Sequence, residues 1–247
     1  MIPLQRPPLN DELAAELARR TEAVRRAGLT TASGRAAWRT ARAPKARLRA
    51  LLHRMSPGLL RCMYCGDNLG TDIDHFEPIA RAPLRTFDWH NHLLACAYCN
   101  SNQKRDLFPC DPSGEPLLID PAAEDPADHL LLYLESGAYQ GLTAKGRATI
   151  EVFALNSRAE LVRGRRLAFA VVKALLRDWR ARTEAGDHAT AAEVADALDQ
   201  LWQADVVRAV HRLTANPPLA EAVLGPEAAG ALAALAAAPY RPGGGRN

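Results

Sequence analysis

The chain has no run of about twenty apolar residues, so no membrane-spanning helix is expected. The opening stretch Met1-Ile2-Pro3-Leu4-Gln5-Arg6 lacks the apolar core of a secretory leader. Glycine-rich phosphate loops of the P-loop type are missing, so any ATP in the system must be bound by a partner. No internal repeat is evident. Cysteine is scarce: there are five in 247 residues, and four of them form two Cys-x-x-Cys pairs. Thiols spent this way fit metal binding in a reducing cytoplasm better than a disulfide framework. The fifth, Cys110, is most simply a structural thiol. The expectation is a soluble cytoplasmic protein of one or two domains, mainly α.

What is present gathers between Cys62 and Lys104. Cys62/Cys65 and Cys96/Cys99 each place two thiolates on one tight turn, and the intervening run can loop back to complete a tetrahedral sulfur site. Zinc suits that donor set better than iron. Between the pairs, Thr71-Asp72-Ile73-Asp74-His75-Phe76 alternates polar and apolar, as a short half-buried strand does. Asp72 and Asp74 would share one face, with His75 on the other. Neutral imidazole takes a proton from water near pH 7, and a carboxylate holds a hard cation, so the dyad suits phosphodiester hydrolysis. Asn100 offers a second hard oxygen from the first turn of a helix. Lys104, four residues on, shares its face and is expected to contact a phosphate. Arg81 and Arg85 in the intervening loop are further candidates for DNA contact.

Asp74-His75, then Asn91, then Cys96-x-x-Cys99-Asn100 with Lys104 following, resembles the HNH endonuclease family, in its zinc-bound ββα-metal subgroup. The resemblance implies Asp74 as a metal ligand, His75 as general base, Asn91 as the brace of the base-bearing loop, and Asn100 as the second metal ligand. His is common at that last position; the amide here favours Mg2+ or Mn2+ over softer ions. His90, Asn91 and His92 are consecutive, and Asn91 is preferred because Trp89-His90-Asn91 precedes the apolar Leu93-Leu94. A looser likeness runs through Pro109, Asp111-Pro112, Leu118-Ile119-Asp120-Pro121, Glu124-Asp125-Pro126, Gly137, Leu155-Asn156 and an Arg-rich helix. That order is similar to the HNH component of Septu-type and retron-associated anti-phage systems, and implies an ABC-type ATPase partner. Two alternatives stay open: a non-catalytic zinc module that binds nucleic acid or protein, and a stand-alone restriction-type HNH nuclease.

Charge is unevenly spread. Residues 1–54 hold twelve Lys/Arg against four acids, an excess of eight, while the whole chain carries +3, so the remainder is net −5. A basic arm beside a nuclease centre suits a phosphate-binding surface, and equally a solvated helix face or an acidic partner. The expected organisation is a basic helical arm over 1–58, the zinc-stapled core over 59–108, a Pro/Asp-rich wrap over 109–142, C-terminal helices over 143–238 and a disordered tail over 239–247. Asn10 is expected to cap the first helix and Ser33 the second. A helix is expected over about 97–106. Ser157 and Thr190 open capping boxes, and the helix from Thr190 is expected to continue past Trp202 to Leu213. The acids of the wrap read as turn residues bonded to their own backbone rather than as a second metal site.

Overall fold

Asn10 opens the first helix as the sequence predicts, its side chain accepting from the Leu13 N–H at the start of α1 (Asp11–Arg26). The computed structural model describes residues 1–56 and 59–238; the tail expected over 239–247 lies outside the described residues. α2 (Thr31–Thr40) is capped by Thr30, not Ser33. Ser33 is its reciprocal partner three residues on, so the pair closes a capping box one turn earlier than the sequence suggests. α3 (Arg42–Met55) begins before Pro44, because proline in the first turn forfeits only an N–H that has no partner there.

Two short antiparallel strands follow, β1 (Asp72–His75) and β2 (His92–Ala95), paired Asp72 to Ala95 through His75 to His92. The chain then turns into a helix at Tyr98–Lys104. It is π-helical rather than the α-helix expected over 97–106, closing with Arg105 N–H on the Asn100 carbonyl at 2.8 Å. The remaining elements are β3 (Leu130–Tyr133), β4 (Ala138–Gly141), α4 (Ala144–Val152), α5 (Ala159–Glu184), α6 (His188–Asp199), α7 (Ala204–Arg212), α8 (Pro217–Leu224) and α9 (Pro226–Ala237). The described residues are thus mostly helical, with two two-stranded sheets. None of these helices is long and apolar enough to cross a membrane.

The chain divides into two compact units. The first comprises residues 1–56, 60–131 and 140–155, and so holds the arm, both cysteine pairs and most of the wrap. Within it α1 and α2 pack on the loop Pro83–Phe87, and α3 packs on β2 through a buried stripe of Leu48, Leu52 and Met55. The wrap's acids do close local turns: Asp111, Asp120 and Asp125 accept from backbone N–H groups two residues on.

The second unit, residues 59, 132–139 and 156–238 of those described, is built on α5. Its buried stripe of Ala168, Val172, Leu176 and Trp179 meets Val194 and Leu198 of α6, Val206 and Val210 of α7, and Leu232 and Leu235 of α9. The helix expected to run unbroken to Leu213 stops at Asp199, and Trp202 lies between α6 and α7. Asp187, not Thr190, caps α6, and α5 starts at Ala159 with no side-chain cap from Ser157. Gly225, at φ +81, separates α8 from α9 within the Ala-rich segment.

Candidate active site and metal centre

Cys62 and Cys65 sit on a knuckle closed by the Gly66 N–H on the Cys62 carbonyl, and Cys96 and Cys99 lie where β2 passes into the π-helix. All four are buried, and their Sγ atoms lie within 4.8 Å of one another. Cys65 and Cys96 sulfurs are 4.0 Å apart, far beyond a disulfide bond. A tetrahedral zinc with ~2.3 Å bonds needs sulfurs about 3.8 Å apart, so the cluster fits that ion. Cys96 Sγ also accepts from Asn68 Nδ2 and the Cys99 N–H, contacts that favour a thiolate. Hydrogen bonding with Cys62 foremost draws the Cys96 thiol down to about 7. A metal here ties the knuckle to the sheet and helix that carry the rest of the site.

The pleat of β1 sends Asp72 and Asp74 to one face and His75 to the other. The π-helix covers the first face. Asn100 Nδ2 donates to Asp72 Oδ2 at 3.3 Å, and four residues on Lys104 Nζ donates to Asp74 Oδ1 at 3.1 Å and to the His75 carbonyl at 2.6 Å. Lys104 is 0% exposed, so it does not present its ammonium to a phosphate as expected; the burial of Asp74 draws it inward instead. Asp74 Oδ2 accepts from the Tyr64 hydroxyl. Burial pushes the Asp74 carboxyl up from its ordinary range, against the opposing pull of Lys104 and Tyr64. Tyr64 is itself fully buried, stacked on Phe153 at 4.0 Å between ring centroids.

His75 is held on the other face. Its Nε2 lies 3.0 Å from the carbonyl oxygen of Thr86, which can only accept. Nε2 therefore carries the proton, and in the neutral ring Nδ1 keeps the lone pair. Burial lowers His75 to about 4, with Lys104 adding to the drop and the Thr86 contact opposing it, so the imidazole is neutral at pH 7. Trp38 of α2 meets its ring edge-on at 4.5 Å. His92 also donates Nε2–H to the Thr86 carbonyl and stacks on Trp38.

Asn91 is wholly buried and closes the loop that carries Thr86. Its Oδ1 accepts from the Glu77 N–H at 2.7 Å, and its Nδ2 donates to the Glu77 and Arg85 carbonyls. Arg6 fastens the turn around Asn91 from outside, donating to the carbonyls of Trp89, His90 and His92. Arg81 and Arg85 do not stand free for DNA. Arg81 pairs with Glu77, and Arg85 with Glu77 and Asp88, because the loop carries its own acids.

Sequence reasoning missed Tyr64, Thr86, His92, Trp38 and Arg6. Tyr64 lies between the first two cysteines and Trp38 is the one tryptophan of the basic arm, so both had a positional signal. Thr86 had none, since it acts through its carbonyl.

Residues 62–106 match the family model of the HNH endonucleases. No curated protein and no solved structure matches the chain. The match coincides with the segment that holds the cysteine cluster, both strands of the first sheet and the π-helix. It supports nuclease chemistry in that segment, alongside a structural metal on the four cysteines.

Proposed function

We propose that the chain is a metal-dependent endonuclease that hydrolyses DNA phosphodiester bonds, with His75 as its general base. The observation that carries this reading is the fixed tautomer of His75, a neutral imidazole with its lone pair on Nδ1, in a segment that matches HNH endonucleases. His75 Nδ1 takes the proton of an attacking water, whose oxygen bonds to phosphorus as the bond to the leaving oxygen breaks. Thr86 holds the ring in that orientation, and Asn91 holds Thr86 through the loop.

The residues for a hard divalent ion are Asp74, Asn100 and Asp72. Two carboxylates on one strand face and an amide oxygen above them suit Mg2+ or Mn2+, which bind proteins through few ligands and keep water. That the place takes positive charge is supported by the Lys104 ammonium already beside Asp74. Asp72 and Asn100 are in contact with each other, whereas Asp74 becomes available to an ion only when Lys104 yields. Bound there, the ion supplies neutralisation of charge developing on the phosphate.

The engagement of Asp74 by Lys104 and Tyr64 also favours a second reading, a zinc module that binds nucleic acid without cutting it. Incubating supercoiled plasmid with the zinc-loaded protein in Mg2+, in Mn2+ and in EDTA separates the two. Nicked or linear product in metal and none in EDTA is expected; intact plasmid throughout favours the non-catalytic module. A role as the effector of an anti-phage system beside an ABC-type ATPase rests on the order of short motifs after Asn100. Pull-down of the tagged chain from its native host, probed for an ABC-type ATPase, tests that role, co-purification being the expected result.

A further inference from the structure

The excess charge of the N-terminal arm is not spread evenly over its surface. On α1, Arg20 pairs with Glu16, and Arg25 and Arg26 share Glu22. Arg47 turns toward α1 and pairs with Glu12 and Glu16, Arg35 pairs with Asp106, and Arg6 is spent on backbone carbonyls. Arg39, Arg42, Lys45 and Arg49, like Arg19 of α1 and Arg54 near the end of α3, have no ion pair among the described residues; of the four, all but the half-buried Lys45 are exposed. Arg42, Lys45 and Arg49 stand at i, i+3 and i+7 of α3, on one face that borders the buried Leu48–Leu52–Met55 stripe.

One member of this basic stripe, Lys45, lies near the candidate base. Lys45 Nζ lies 5.5 Å from the Trp38 ring centroid, and that centroid is 4.5 Å from the ring of His75. Lys45 is therefore no more than 10 Å from the imidazole, the sum of those two separations. Arg42 to Arg49 spans about 10.5 Å along the helix at 1.5 Å per residue. One strand of B-DNA rises ~3.4 Å along the duplex axis per phosphate, so the stripe spans about three such steps.

We infer that Arg39, Arg42, Lys45 and Arg49 form the track along which a DNA strand runs to His75, past Trp38. The cations engage phosphate oxygens and position the strand without reading its sequence. This deepens the nuclease reading and rests on it for the identity of the substrate, but DNA binding is measurable without cutting.

The test is fluorescence polarisation of a labelled 25-bp duplex with the full chain in EDTA, over a series of salt concentrations. The triple variant Arg42→Gln/Lys45→Gln/Arg49→Gln is compared with Arg19→Gln/Arg25→Gln/Arg26→Gln, which removes three charges from α1. The first is expected to bind ~30-fold or more weakly than wild type at 100 mM salt and to flatten the slope of log affinity against log salt by about 3. The α1 variant is expected within about threefold of wild type by the same measure. Equal losses in both variants, or none in the first, overturn the track. So does wild-type protein that prefers RNA or an acidic protein to the duplex. Unchanged binding by the first variant in a protein that cuts plasmid removes the track and leaves the nuclease; a wild type that neither binds nor cuts removes both. Circular dichroism melts of each variant guard against loss of fold.

Discussion

Lys104 occupies a place where a cation is tolerated only through its partners. A buried ammonium and a buried carboxylate each lose hydration worth several kcal/mol, recovered through their mutual contact and the bonds to the Tyr64 hydroxyl and the His75 carbonyl. Lys104→Met strands Asp74 and should cost roughly 3–5 kcal/mol, read as a lower urea midpoint. Tyr64→Phe should cost about 1.5–3 kcal/mol, the loss of one hydrogen bond to a charged group. A Lys104→Met protein as stable as wild type would show that the pair contributes nothing. His75 and His92 give a pH signature at the same scale. Both are held below the ordinary histidine range by burial, His75 at about 4. Above about pH 6.5 neither the folded nor the unfolded chain protonates them; below it the unfolded chain does, while the folded chain keeps His75 neutral down to about 4. Stability should therefore be full above about 6.5 and fall as pH drops, by roughly 1 kcal/mol from His75 alone between pH 7.5 and 5.5. Urea titrations of the zinc-loaded protein at those two pH values check this; a flat response means that the imidazoles take up protons alike in the folded and unfolded chains. The sequence brought Asp74, His75, Asn91 and Asn100 forward because their residue types carry chemistry. It did not reveal where Lys104 turns, since an ammonium on a helix face reads the same whether it meets phosphate or a buried carboxylate.

At the scale of elements, α2 forms the wall of the His75 side because Gly34 lets it close on the loop. A Cβ at Gly34 would stand 2.7 Å from Ile79 Cγ2 and 2.9 Å from Thr86 Oγ1. Gly34→Ala should therefore push α2 from the loop, costing about 1–3 kcal/mol and loosening Trp38 and Thr86 together around His75. Lowered thermal stability with slower cutting is the expected pair of results; an unperturbed melt and rate would mean α2 does not set the site. Element types were largely legible, since stripes such as Leu48, Leu52 and Met55 follow from periodicity. Boundaries were less so. Thr30 and Ser33, or Asp187 and Thr190, are each three residues apart and equally able to cap, and the choice between them is made by packing rather than by local pattern. The π-helical turn was not legible either, because its extra residue per turn leaves no compositional mark.

For the whole molecule, the two units have different sources of stability. The first is held around its sheet by four cysteines; the apolar core of the second contains none. Stripping the metal with a strong chelator and a thiol reagent should release one zinc per chain, abolish cutting, and leave much of the helical circular dichroism from α5–α9. Complete loss of helix on zinc release would show that the second unit does not stand on its own core. The most direct test of the central claim is the rate of plasmid cutting in Mg2+ or Mn2+ by wild type and His75→Ala, with zinc content measured on the same samples. A proton-accepting His75 predicts a fall of ~10²–10⁴-fold in rate with one zinc in each protein. Equal rates at equal zinc content would contradict it.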